Sequence, residues 1–204
     1  MLNKKGLIEH LKSSGVLKNS NIIEAFEKID RADFVLEEHK LESYEDHPIP
    51  IGRGQTISQP TTVAFMLELL SVQKGDKVLD IGSGSGWTTA LLSELVGSTG
   101  EVFGVERVSE LVEFGSKNLA KYDFKNSKII QAGDKLGLSN EVPFDKILVS
   151  AGADELPKEL LTQLKTGGIL VIPIGYSVWK IIKTTDEEIE EEEYKGFTFV
   201  PLIK

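Results

Sequence analysis

Residues 78–87 read VLDIGSGSGW, and this stretch decides the fold. Val78 to Ile81 form a short aliphatic run of strand type, and three alternating glycines, Gly82, Gly84 and Gly86, separate it from the helical pattern TTALLSELV. A strand, a glycine loop and a helix in this order let backbone amides approach a ligand at the positive end of the helix. The expectation is a loop that binds a nucleotide-like cofactor. A dinucleotide fingerprint wants its third glycine one position later, where this chain has Trp87. The lysine of a phosphate-binding P-loop is also missing, so pyrophosphate and nucleoside triphosphates are both disfavoured. Tight strand-to-helix turns use glycine for steric reasons alone, so the loop needs support from its surroundings.

Downstream, short apolar runs alternate with helical ones. EVFGVE, SKIIQAGD, DKILVSAGA and GILVIPIG read as strands, while SELVEFGSKNLAKY and PKELLTQLKTGG read as helices, the second closed by glycine. The pattern predicts an α/β chain with a Rossmann-like, doubly wound, mostly parallel sheet covered on both faces. The last stretch, YSVWKIIKTTDEEIEEEEYKGFTFVPLIK, predicts two strands in an antiparallel C-terminal hairpin, with the acidic run 186–193 as its solvated tip. Two acids stand at successive strand ends. Glu106 lies at about the interval expected for a ribose-binding acid, and Asp134 is placed to accept from an adenine amino group or a glycine-loop amide. A surface glutamate and a turn aspartate are the plain alternatives for each residue alone. With the glycine loop they describe an adenosine crevice lacking a pyrophosphate grip, which points to S-adenosylmethionine.

Upstream, the apolar spacing from Leu7 to about Leu41 predicts a helical N-terminal extension, with Asn19 and Ser20 as caps. SYEDHPIPIGRGQTISQP then brings three prolines and two glycines, which exclude a regular helix and read as a long structured loop. Thr61 and Thr62 are available to cap a helix through VAFMLELLSV, and Lys74–Asp76 form a turn. One domain over residues 1–204 is expected: 1–60 as helical extension and active-site loop, 61–204 as the cofactor-binding α/β core. The net charge of −9 opposes nucleic acid as a partner. Neither a signal peptide after Lys4 and Lys5 nor a membrane-spanning run is indicated. There is no cysteine, which fits the cytoplasm, and His10, His39 and His47 lack metal-site spacing. A soluble monomer without metal is the expectation.

These motifs resemble those of class I S-adenosylmethionine-dependent methyltransferases. Within that class, YEDHPIPIGRGQTISQP, IIEAFEKIDRADFV and FTFVPLI are similar to the protein-L-isoaspartate O-methyltransferase family, over nearly the whole chain. The resemblance implies methyl transfer to the α-carboxyl of L-isoaspartyl residues in damaged proteins and peptides. The ester then closes spontaneously to a succinimide, whose hydrolysis regenerates some aspartate. It carries the catalytic position onto Ser58, as the residue that orients the substrate carboxylate. It carries cofactor contacts onto Gln55, Thr56, Ile57, Asp80, Gly82, Ser83, Gly84, Gly86, Glu106, Arg107, Gly133 and Asp134. The reaction needs no general base, because the attacking carboxylate is already ionised at neutral pH.

The chain departs from the family pattern in places. Gln59-Pro60-Thr61 stands where many members have Ala-Pro-His, and Lys135 stands where a glycine is usual. Lys135 either crowds the adenine end or points outward. Arg53 is either a cation that draws the substrate carboxylate or a solvated loop side chain, and Trp87 either packs on the cofactor or belongs to the core. Two other readings stay open on sequence alone. One is a class I methyltransferase acting on RNA or a small metabolite, and the other is a non-catalytic cofactor-binding paralogue. Ser150–Ala153 stand where many nitrogen-methylating relatives carry Asn-Pro-Pro-aromatic, and this weighs against base methylation.

Overall fold

The computed structural model describes residues 3–203. Its centre is a seven-stranded sheet built from β3 (Lys77–Ile81), β4 (Glu101–Glu106), β5 (Ser127–Gln131), β6 (Phe144–Val149), β7 (Leu164–Ile174), β8 (Ser177–Lys183) and β9 (Ile189–Lys195). The spatial order is β5-β4-β3-β6-β7-β8-β9, with β3 to β7 mutually parallel and β8 and β9 antiparallel. The chain leaves β3 toward β4 and later returns to β3's other side with β6. The carboxyl ends of these three strands therefore border the crevice where such sheets bind ligands.

Period-two alternation divides the strand side chains between two cores. Val78, Val102, Leu148, Val171 and Val178 face one core, which is covered by α1 (Lys4–Ser13), α2 (Ser20–Lys28), α3 (Pro60–Leu70), α4 (Trp87–Val96) and α5 (Ser109–Leu119). Leu79, Phe103, Ile147, Leu170 and Ile172 face the other, which has only the six-residue α6 (Lys158–Gln163) and apolar loop residues such as Leu136, Leu138 and Leu156. The β5–β6 connection, with Gly133, Gly137 and Pro143, forms no helix there. The amide of Gln163 holds this loop by accepting from Leu138 N–H (2.7 Å) and donating to Leu136 C=O (2.9 Å).

Four expectations change. α6 is not closed by glycine, because β7 already begins at Leu164 and includes Gly167 and Gly168. The acidic run is not a hairpin tip: residues 189–193 lie within β9, and the turn is made by 184–188. Lys180 meets Glu192 at 2.9 Å and Ser177 donates to Glu193 at 2.7 Å, while the remaining glutamates charge the sheet edge against pairing with another chain. The long loop contains a hairpin, β1 (Ile49–Gly52) with β2 (Gln55–Ile57), turned by Gly52, Arg53 and Gly54, all at positive φ. Finally, Thr61 and Thr62 do not cap α3. Pro60 occupies its first turn, where an imino nitrogen costs no hydrogen bond, and the Asp46 carboxylate serves as the cap by accepting from Thr61 N–H (2.9 Å) and Thr61 Oγ1 (2.7 Å). Asn19 does cap α2, accepting from Asn21 N–H.

The glycine loop rests directly on α5. A Cβ at Gly115 would lie 2.7 Å from Gly84 C=O, and one at Gly86 would lie 2.9 Å from Gly115 C=O. Helix propensity alone favours Gly115→Ala by about 1 kcal/mol. The clash with backbone outweighs it, so Gly115→Ala should destabilise the protein by a net ~1–3 kcal/mol in urea unfolding. Exposed Lys117→Ala should stay within about 0.5 kcal/mol of the parent, and a Gly115→Ala variant more stable than the parent would contradict this packing.

Candidate active site

Glu106, at the end of β4, is only 7% exposed. Its Oε2 accepts from Gly84 N–H and its Oε1 from Val108 N–H, both at 2.9 Å. Gly82 and Ser83 N–H both donate to Val105 C=O, and Gly86 N–H donates to Ser83 C=O. These loop amides are therefore committed inside the protein and do not aim at a ligand, contrary to expectation. The glycines supply room: a Cβ at Gly84 would lie 3.2 Å from Ile51 Cδ1 of the β1–β2 hairpin, which packs across the loop.

A cavity of about 950 Å³ opens beside this loop. Gln55, Thr56, Gly82, Gly84, Glu106, Arg107, Gly133 and Asp134 lie on its wall. Arg107 donates to Gly133 C=O at 2.8 Å, joining the loops after β4 and β5. Ile57, Ser58 and Ser83 line a separate small cavity of about 30 Å³ that shares Thr56, Gly82, Gly84 and Ser150 with the large one. Its wall is rich in hydroxyls (Thr56, Ser58, Ser83, Ser85, Thr88 and Ser150), and Ser83 Oγ is buried without a partner.

Two residues expected at the cofactor are elsewhere. Gly86 is at the α4–α5 contact, off both cavity walls, and is needed for close packing. Asp80 shares a sheet face with Val78, so it points under α4, where its Oδ2 accepts from Thr88 Oγ1 (2.8 Å) and Thr89 Oγ1 (2.6 Å). Burial pushes its carboxyl up to about 6 against the pull of these hydroxyls, and the Glu106 charge pushes the same way.

The other open points resolve locally. Trp87 belongs to the core, 2% exposed and edge-on to Phe26 at 5.6 Å. Arg53 turns away from both cavities to pair with Glu110 at 2.5 Å, with both side chains more than half exposed. Lys135 and Asp134 are exposed on the large cavity's wall. Gln59 and Thr61, which depart from the family pattern, both bond Asp46.

Sequence reasoning missed two parts of the wall. Residues 199–202 return to the end of β6, where Gly152 N–H donates to Val200 C=O and Leu202 N–H donates to Gly152 C=O, both at 2.8 Å. This places Val200 to Ile203 on the cavity wall, together with the segment from Glu155 to Glu159. Only the apolar run FTFVPLI hinted at this, and nothing local says where it docks.

This sheet order, with a glycine loop and an acid at successive strand ends beside one crevice, defines a class I methyltransferase fold. Residues 2–204 match the model of the protein-L-isoaspartate(D-aspartate) O-methyltransferase family. The chain is 44% identical to a protein-L-isoaspartate O-methyltransferase of Methanopyrus kandleri, over 98% of this chain and 91% of that one. It is 45% identical to one of Thermococcus onnurineus, over 96% and 91%. A crystal structure from Plasmodium falciparum, described as a protein-L-isoaspartate O-methyltransferase in complex with S-adenosyl-L-homocysteine, superposes with a TM-score of 0.89 at 30% identity, covering 100% of this chain and 99% of that one. The chain belongs to the protein-L-isoaspartate O-methyltransferase family.

The placement of Asp80 has a consequence for stability. A carboxyl whose folded pKa is raised contributes fully below its unfolded value and loses that contribution as pH rises through the folded one. The interval from the ordinary 3.8 to about 6 is worth about 3 kcal/mol. Asp80→Asn should therefore gain on the parent by roughly this amount between pH 4 and pH 7 in urea unfolding. A difference that is constant with pH would show that Asp80 carries no such burden.

Proposed function

We propose that this chain methylates the α-carboxyl of L-isoaspartyl residues in proteins and peptides, with S-adenosylmethionine as donor. The observation that carries the reading is the shared wall. Thr56, one residue from the small cavity's Ile57 and two from Ser58, borders both cavities, so the Ser58 segment meets the glycine-loop crevice at one place.

The residues present suit the donor. About 950 Å³ is ample for a molecule of this size, and the wall mixes Glu106, Asp134, Glu155 and Glu159 with Arg107, Lys135 and Lys158, as a ligand carrying both signs of charge requires. The orphaned Ser83 hydroxyl offers one further polar contact. In this reading Glu106 faces the ribose, Arg107, Gly133 and Asp134 the adenine end, and Gln55 to Ile57 the methionine end. When bound, S-adenosylmethionine supplies an electrophilic methyl group on a positively charged sulfur.

The chain's own work is alignment. Ser58 donates its hydroxyl to the substrate carboxylate and turns it toward the donor side of the site. Among the described residues no histidine or aspartate hydrogen-bonds that hydroxyl, and none is needed, since the carboxylate arrives ionised. The β1–β2 hairpin and the returning segment Val200–Ile203 exclude water from the two sides of the crevice. An extended peptide held through its backbone suits an enzyme that must accept damage in many sequence contexts. The chain would act as a single-domain monomer, with residues 1–60 supplying the substrate loop and 61–204 the cofactor site. No helix among the described residues is long and apolar enough to cross a membrane. With no cysteine to call for an oxidising compartment, the cytoplasm is the compartment this reading assigns.

The test is transfer of labelled methyl to paired peptides that differ only in isoaspartate or aspartate at one position. Base-labile label is expected on the isoaspartyl peptide alone, with kcat lowered about 10–1000-fold in Ser58→Ala, the range for lost alignment or a lost donor. No label on either peptide, with the cofactor tightly bound, would sink the substrate assignment.

A further inference from the structure

Arg31 is a buried cation that, among the described residues, has no carboxylate on its guanidinium. It is 2% exposed, and four of its five N–H donors go to backbone carbonyls. Nη1 donates to Ser43 C=O (2.8 Å) and Glu45 C=O (3.2 Å), and Nη2 donates to His47 C=O (3.0 Å) and Ser58 C=O (3.1 Å). Its plane also lies over the Trp87 ring, 5.2 Å from the centroid. Trp87 opens α4 directly after the glycine loop, so one side chain touches both the Ser58 backbone and the first residue beyond Gly86.

We infer that Arg31 is a positioning residue for methyl transfer, fixing the Ser58 backbone against the glycine-loop helix. Asp46 completes the hold from the other side through Gln59 and Thr61, so Ser58 to Pro60 is gripped at both ends. Burial lowers the guanidinium to about 10, opposed by the Asp46 charge, and it stays protonated at neutral pH. A planar fork is required here. Four carbonyls on two nitrogens match the geometry of a guanidinium, whereas the point charge of lysine has three donors and no face to lay on an indole. What separates Arg31 from a purely structural arginine is that it binds the backbone of the residue proposed to orient the substrate.

The inference rests on the proposed methyl transfer, and Arg31→Lys tests it with two readouts. In the first, kcat on the isoaspartyl peptide should fall about 10–100-fold, the cost of a misplaced alignment, while both KM values stay within about threefold. In the second, amide exchange should speed up in residues 55–61 but not in β3 or β4, a change that needs no turnover to be seen. If kcat and exchange both match the parent, Arg31 does not position Ser58. If exchange rises throughout the sheet and the melting temperature collapses, the role is general stability and the inference falls. Should the parent fail to methylate the peptide while exchange in Arg31→Lys rises only at 55–61, the functional reading fails and the backbone hold stands. Arg31→Ala, assayed with added guanidinium, is the second variant. Recovery of kcat with guanidinium but not with methylammonium supports the planar fork, and equal recovery with both overturns it.

Discussion

A buried carboxylate holds two strand ends together. Glu106 uses one oxygen for Gly84 and the other for Val108, fixing the loop after β3 to the loop after β4. A buried ionised group is costly unless hydrogen-bonded, and these two charge-assisted bonds, each stronger than a neutral one, offset that cost. With Gly84 held by Glu106, and Gly82 and Ser83 by Val105, the loop offers a ligand its shape and the spare lone pairs of Glu106, in place of free amides. The same negative charge disfavours ionisation of Asp80 beneath α4. One acid thus shapes the crevice wall and adds to the cost, set mainly by burial, of ionising Asp80 behind it.

The sheet alone makes only half of a site. The other half comes from the first 60 residues, whose α2 packs on α4 and whose hairpin lies over the glycine loop. Phe26 against Trp87, Tyr122 bonding Asp33, and the Lys28–Glu94 pair secure that extension to the α/β core. The extension and core are therefore one packed unit where it matters, and Ser58 sits on the join. The uncharged segment 55–60 in an acidic chain suits a substrate recognised by backbone and a single carboxylate, with little use for long-range charge steering.

Much of this was legible in the sequence. VLDIGSGSGW gave strand, loop and helix in the right order because glycines at alternate positions leave few other conformations. Glu106 stood out by its interval, and every strand from β3 to β7 was visible as an aliphatic run. What stayed hidden depends on direction or distance. A run such as KVLDI does not say which face Asp80 takes, since both faces of a parallel sheet are buried. The β1–β2 hairpin was masked because Arg53, a non-glycine at positive φ, sits between the two turn glycines, and its strands are only four and three residues long. The acidic β9 has poor strand propensity and exists through pairing with β8. The docking of residues 199–202 on Gly152 is a long-range event with no local trace. Gln59 and Thr61 were visible as departures from the family pattern, but their shared partner Asp46, 13 and 15 residues away, was not.

The most direct test of the account is the structure of a ternary complex with S-adenosylhomocysteine and an isoaspartyl peptide. The account predicts the nucleoside in the large cavity beside Glu106, and the isoaspartyl α-carboxylate at about 2.5–3.0 Å from Ser58 Oγ, facing the sulfur across the wall that the two cavities share. A peptide bound with that carboxylate away from Ser58, or a nucleoside outside the crevice, would contradict it.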